Sequence, residues 1–108
     1  MDYEQIILSI IAHAGNARSL SFEALQLAKE GNFQEARQKI SEAKEELINA
    51  HNVQSDILHK EAAGEKYDIS LLLIHAQDHL MAATLAKDLI EEFIELYENA
   101  FKNKKSIE

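Results

Sequence analysis

Apolar positions recur at spacings of three and four residues over nearly the whole chain, the period of one helix face. In the first third the seam runs Tyr3, Ile7, Ile10, Ala14, Ala17, Ser21, Ala24, Ala28. In the second it runs Phe33, Ala36, Ile40, Ala43, Leu47, Ala50, Gln54, Ile57. Large and small residues alternate along both seams, which lets long helices approach closely at a shallow angle. Two breaks interrupt the pattern, Glu30-Gly31-Asn32-Phe33 and Ala63-Gly64-Glu65-Lys66-Tyr67-Asp68. Each glycine suits the left-handed residue that closes a helix, and Asn32 and Asp68 are placed to cap the second and third helices. Glu35, three residues after Asn32, approximates a capping box, and Asp2 with Gln5 opens the chain in the same style. The pattern predicts helices over about 2–30, 33–63 and 68–102, each roughly 45 Å long at 1.5 Å per residue. Short connections force antiparallel neighbours. The predicted fold class is therefore all-α, a single up-down-up three-helix bundle over residues 1–102, with a frayed tail over 103–108.

Composition narrows this further. Across 108 residues, 46% are hydrophobic and 28% charged, the balance of a globular chain able to bury one core. With no Pro and three Gly, the chain lacks the turns that sandwiches and barrels need. The absence of Cys excludes disulfides, a thiol nucleophile and thiolate-bound zinc. Eleven basic against nineteen acidic residues leave a net charge of −8, which argues against a nucleic-acid groove and for a basic or amphipathic protein partner. The N-terminal stretch has an acidic flank and an amphipathic pattern, unlike a signal peptide or a membrane span. A soluble, cytoplasmic protein is expected.

The third helix is the most informative. On a wheel of about 100° per residue, Lys87, Asp88, Glu91, Glu92, Glu95 and Glu98 gather on one side, facing water. The rest is apolar and splits into two stripes. One is Leu72, Ala76, His79, Ala83, Ala86, Ile90, Phe93, Tyr97; the other is Leu71, Ile74, Asp78, Leu85, Leu89, Leu96. One stripe suffices for a monomeric bundle, so the second is surplus and should bury itself against other copies of the same helix. Asp78 stands in the middle of that surplus stripe. Either it is a surface carboxylate at the rim, or carboxylates from symmetry-related chains converge on one axis. In the second case a hard cation such as Mg²⁺ would have to offset their repulsion.

Of the five histidines, His51 and His59 lie eight residues apart on the second helix without carboxylates at ligand spacing, and read as solvated or interhelical. His13, beside Gly15, reads as a packing residue. The run His75-Ala76-Gln77-Asp78-His79 is different. Two His at i and i+4 beside an Asp could bind a transition metal, though two His and one Asp alone are a weak zinc signal. They could equally be core histidines. A neutral imidazole is also nucleophilic near pH 7, which suits a phosphoryl acceptor.

The sequence resembles the IIA component of the lactose/cellobiose (chitobiose) class of the bacterial phosphoenolpyruvate-dependent sugar phosphotransferase system. The likeness is carried by Ala14-Gly15-Asn16-Ala17-Arg18-Ser19, by Ala50-His51-Asn52-Val53-Gln54 with Glu61-Ala62-Ala63-Gly64, and above all by Ile74-His75-Ala76-Gln77-Asp78-His79-Leu80-Met81. The resemblance implies a homotrimer of three-helix bundles in which His75 carries the phosphoryl group. It also implies that Asp78, shared between three subunits on the threefold axis, binds a divalent cation, Mg²⁺ or similar. It implies HPr as phosphoryl donor, a cysteine of the IIB component as acceptor, and the membrane IIC component as an indirect partner. His79 and Gln77, each with a nitrogen donor, are candidates to contact the phosphoryl oxygens. Two other classes share parts of the pattern. One is a histidine phosphotransfer domain of a two-component relay, usually a four-helix bundle with a basic residue and a glycine after its histidine. The other is a non-enzymatic trimerisation or metal-binding module.

Overall fold

The computed structural model describes the backbone of residues 2–107 and the side chains of residues 2–104. Three helices succeed one another: α1 (Tyr3–Lys29), α2 (Phe33–Ala62) and α3 (Leu71–Ile107). They form an antiparallel up-down-up bundle extending 64 × 20 × 19 Å. The sequence-predicted architecture is the observed one.

The breaks work as their residues suggest. Among the described residues, Gly31 (φ 85°) and Gly64 (φ 107°) are the positive-φ residues, and each sits just past a helix end. At the first, Gly31 N–H donates to Ala28 C=O at 3.0 Å and Asn32 N–H to Leu27 C=O at 2.9 Å; the second repeats the pattern through Gly64 and Glu65. This paired return closes both helices and satisfies carbonyls that would otherwise lack partners. At the opening of α1, Asp2 accepts from Gln5 N–H at 2.8 Å.

Two capping expectations are corrected. Asn32 stands at the N-cap of α2 but makes no side-chain cap hydrogen bond. The cap of α3 is Ser70, whose hydroxyl oxygen accepts from Leu73 N–H at 3.1 Å. Asp68 instead offers its backbone carbonyl to the Tyr3 hydroxyl at 3.1 Å, so α3 begins at Leu71. At the other end α3 stays helical to Ile107, where the pattern predicts a frayed tail from 103. No Gly or Pro interrupts that stretch, and Lys102 and Lys104 suit the negative end of the helix dipole. Glu108 lies outside the described residues.

The seams of α1 and α2 are the buried faces. Ile7, Ile10, Ala14, Ala17, Ser21, Ala24 and Ala28 are buried on α1; Ala36, Ile40, Ala43, Leu47, Ala50 and Ile57 are buried on α2. Alanines at the contact bring the backbones close, and each large residue fills the space beside one. Ser21 is fully buried, its hydroxyl donating to Ala17 C=O at 2.7 Å. Truncating a fully buried isoleucine such as Ile10 would cost about 2–5 kcal/mol.

On α3 the register differs from expectation. The core positions are Ala76, Leu80, Ala83, Ile90 and Ile94. Ala76, Ala83 and Ile90 lie on the predicted stripe, but the alternate positions fall one residue later, on Leu80, position 87 and Ile94. Phe93 and Tyr97 are consequently 45% and 38% exposed. Lys87, expected in water, has a side chain only 12% exposed, its Nζ 2.6 Å from Glu91 and 2.9 Å from Asp88. Burial works against the Lys87 charge, but hydrogen bonds to the two carboxylates outweigh it and hold its pKa above the ordinary value. Glu98, also expected in water, pairs with Arg37 of α2 at 2.7 Å.

Candidate functional site

His75 sits about one turn into α3, after the Ser70 cap, with its side chain exposed. His79, one turn further, is half-buried. The two rings meet edge to face, centroids 4.5 Å apart and planes at 84°. Leu71 and Leu72 border His75 in a shallow depression of the surface. An exposed imidazole against an apolar wall can be reached by a partner, and the neighbouring ring restricts how it turns. Such a group can act as a nucleophile on a phosphoryl centre.

Gln77 is not part of that arrangement within the chain. The Gln54 amide nitrogen of α2 donates to its side-chain oxygen, which holds Gln77 on the opposite side of α3 from His75. The α2–α3 side also carries a groove of about 660 Å³ lined by Leu47, Ile48, His51, Met81, Leu85 and Lys87, among others. His51 and His59 are exposed, as expected of solvated residues. His13 holds α1 to α2: its Nδ1 donates to a Glu46 carboxylate oxygen at 2.6 Å. A carboxylate can only accept, so the proton lies on that nitrogen.

Asp78 is exposed, in the middle of a line of exposed apolar side chains: Leu71 82%, Ile74 52%, Leu85 61%, Leu89 51% and Leu96 63%. The surplus stripe read from the wheel thus lies bare on a single copy. Among the described residues, no group of three or more His, Cys, Asp or Glu side chains in one chain could hold a metal ion. His75, Asp78 and His79 are therefore not a transition-metal site by themselves.

Sequence reasoning missed the tyrosines at the α1–α3 end. Tyr3 and Tyr67 stack with ring centroids 5.0 Å apart. The Tyr67 hydroxyl donates to Glu65 at 2.8 Å. Both phenols titrate above their ordinary value, Tyr3 chiefly through burial and Tyr67 chiefly through its bond to Glu65. The α3 cap, unlike the tyrosine pair, had a local signal: Ser70 stands three residues ahead of Leu73, the spacing of an N-cap.

Fold and site together define a helical bundle that presents an exposed histidine on its longest helix. Comparison with known proteins makes this specific. The family described as "PTS system, Lactose/Cellobiose specific IIA subunit" matches residues 5–98. The lichenan-specific phosphotransferase enzyme IIA component of Bacillus subtilis is 52% identical over 97 residues, covering 90% of this chain and 88% of that protein. The N,N'-diacetylchitobiose-specific EIIA component of Escherichia coli K12 is 41% identical over 97 residues, covering 90% and 84%. Among solved structures, the cellobiose-specific enzyme IIA of Bacillus anthracis superposes with a TM-score of 0.90 at 48% identity, covering 94% of both chains. The chitobiose IIA in complex with HPr, from the Escherichia coli phosphotransferase system, superposes at 0.80 with 38% identity, covering 93% and 97%. The chain belongs to the lactose/cellobiose-specific IIA subunits of the sugar phosphotransferase system, and is a phosphotransferase component. No helix among the described residues is long and apolar enough to cross a membrane.

Proposed function

We propose that the protein is the cytoplasmic phosphoryl carrier of a lactose/cellobiose-type uptake system, with His75 as the carrying residue. The observation that carries this reading is the exposed His75 imidazole in the Ile74–Met81 run of a family member. In the first half-reaction a neutral His75 nitrogen attacks the phosphorus of phospho-HPr. The donor's N–P bond breaks as the new N–P bond forms, and the electron pair returns to the donor imidazole. In the second, the cysteine thiolate of IIB attacks, an S–P bond forms and His75 leaves. No water enters either step. The protein's part is to position the reacting groups and stabilise charge around an in-line transfer. His79, one turn away, is placed to donate to a phosphoryl oxygen. The sugar meets only the membrane component IIC.

The assembly proposed is a homotrimer whose α3 stripes meet on a threefold axis. The bare Leu71, Ile74, Leu85, Leu89 and Leu96 support it, because an apolar line of this length left in water drives association. Asp78 would then supply one carboxylate per copy. Three hard oxygen donors suit Mg²⁺ or a similar ion, which would supply charge neutralisation in the seam. In such a ring the Gln77 side of one α3 turns towards the His75 side of the next. A contact between Gln77 and a phosphoryl group would therefore come from the adjacent copy.

Incubation with phosphoenolpyruvate, enzyme I and HPr tests the reading. One acid-labile, alkali-stable phosphoryl group per chain is expected, dischargeable onto the IIB cysteine. Labelling only by a response-regulator partner would place the protein in a two-component relay instead.

A further inference from the structure

The longer of the two connections, residues 63–70, runs directly into the turn that precedes His75. Ordering such a segment has an entropic cost that its own few contacts do not offset. Tyr67 packs against the edge of the core, and two further links tie it and Asp68 to Tyr3, the first residue of the chain's first helix. Tyr3 stacks on Tyr67 with planes 28° apart, and its hydroxyl donates to the Asp68 carbonyl at 3.1 Å. Ser70 then caps α3. Beside these links, Ile69 stands 81% exposed, a large apolar side chain held out in water, and Leu72 borders the His75 depression.

We propose that the Tyr3–Tyr67 pair is a positioning device for phosphoryl transfer: by tying the connection to α1 it fixes Ile69, Leu72 and the first turn of α3 in the form a phosphocarrier docks on. The proposal rests on the reading of His75 as the phosphoryl carrier. Neither tyrosine touches the reacting atoms. Their contribution is to the fraction of molecules in which the docking surface is already formed. When that fraction falls, apparent affinity for the partner falls in proportion, while the rate within the docked complex is preserved.

The test uses the full chain as wild type, Tyr3→Phe, Tyr3→Ala and Tyr67→Ala, at a temperature well below the unfolding of each. The KM for phospho-HPr, the maximal transfer rate and amide hydrogen exchange over residues 69–75 are measured together. Both alanine variants should raise KM about fivefold with the maximal rate within about twofold of wild type. Exchange over residues 69–75 should accelerate about tenfold in both. Tyr3→Phe keeps the stack and loses the hydrogen bond, so it should rescue most of the KM effect. An unchanged KM beside accelerated exchange would show that the pair orders the connection without serving transfer. Unchanged exchange would show that it does not hold the connection, and either result overturns the proposal. If wild-type protein takes up no phosphoryl group on His75 while exchange responds as expected, the carrier reading itself has failed, and the transfer role falls with it.

Discussion

His75 and His79 stand edge to face on one side of α3, ring centroids 4.5 Å apart, with His75 exposed and His79 half-buried. The arrangement separates two roles that identical side chains could otherwise share. The exposed ring is open to a partner and the half-buried one limits its rotation; in the proposed carrier the latter would offer a donor. Replacing His79 with Gln keeps a nitrogen donor and should lower transfer less than about threefold. His79→Ala removes it and should cost about tenfold, less than the loss of a donor in a fully desolvated site because this one is partly wet. Stopped-flow transfer from phospho-HPr checks the ordering.

The seams of α1 and α2 are legible in the sequence because each buries one stripe at a single period, and every buried position on them lies on the predicted line. On α3 the predicted stripe takes His79 and Phe93 where the structure buries Leu80 and Ile94. That helix is apolar around much of its circumference, so two registers one residue apart fit nearly as well. The true seam also carries Lys87, whose stem is buried while its charge reaches Asp88 and Glu91, a placement that a polar/apolar pattern scores as solvent. The sequence singles out His75 and Asp78 as candidates for opposite reasons. One sits in a distinctive run, and the other is a carboxylate where the pattern calls for leucine. The Tyr3–Tyr67 pair is not legible, since its partners lie 64 positions apart and no local spacing links them.

Two glycines should respond oppositely to alanine. At Gly31 the φ of +85° and the Phe101 ring, 3.4 Å from where a Cβ would stand, make Gly31→Ala destabilising by about 1–2 kcal/mol. At Gly15, inside α1, nothing lies within 4 Å of an added Cβ, so Gly15→Ala should gain about 0.5–1 kcal/mol of helix propensity. Urea unfolding measures both. A loss at Gly15 would reveal a close approach there by a second copy.

Alkaline stability should carry the signature of the tyrosine pair. Burial first, then the negative charges of Asp68 and Glu61, raise the Tyr3 pKa above 10.0, and the Glu65 hydrogen bond raises that of Tyr67. The folded state therefore holds these protons more tightly than the unfolded chain. Their contribution is fully present below pH 10.0 and is lost as pH rises through the folded values. Between about pH 9 and 11 the wild type should lose more Tm than a Tyr3→Phe, Tyr67→Phe double variant. Parallel curves would contradict this.

Asp78→Leu should act unlike an ordinary polar-to-apolar surface change. In the proposed trimer it would extend the leucine stripe and remove three mutually repelling carboxylates, so that assembly should be kept or strengthened and become indifferent to chelator. Wild type should dissociate more readily once divalent cations are chelated. Sedimentation of both proteins with and without chelator decides it. A wild type that is a chelator-indifferent monomer at micromolar concentration would remove the support for the shared ion.

If His75 alone carries the phosphoryl group, phosphorylation of wild type against His75→Gln by phosphoenolpyruvate, enzyme I and HPr will separate it from every other residue. Because His75 is exposed, the variant should keep its helical circular dichroism, with stability within about 0.5 kcal/mol of wild type. It should take up no acid-labile phosphoryl group, whereas wild type takes up one per chain. A folded His75→Gln protein that is still phosphorylated, with the label on His79 or elsewhere, would contradict the assignment.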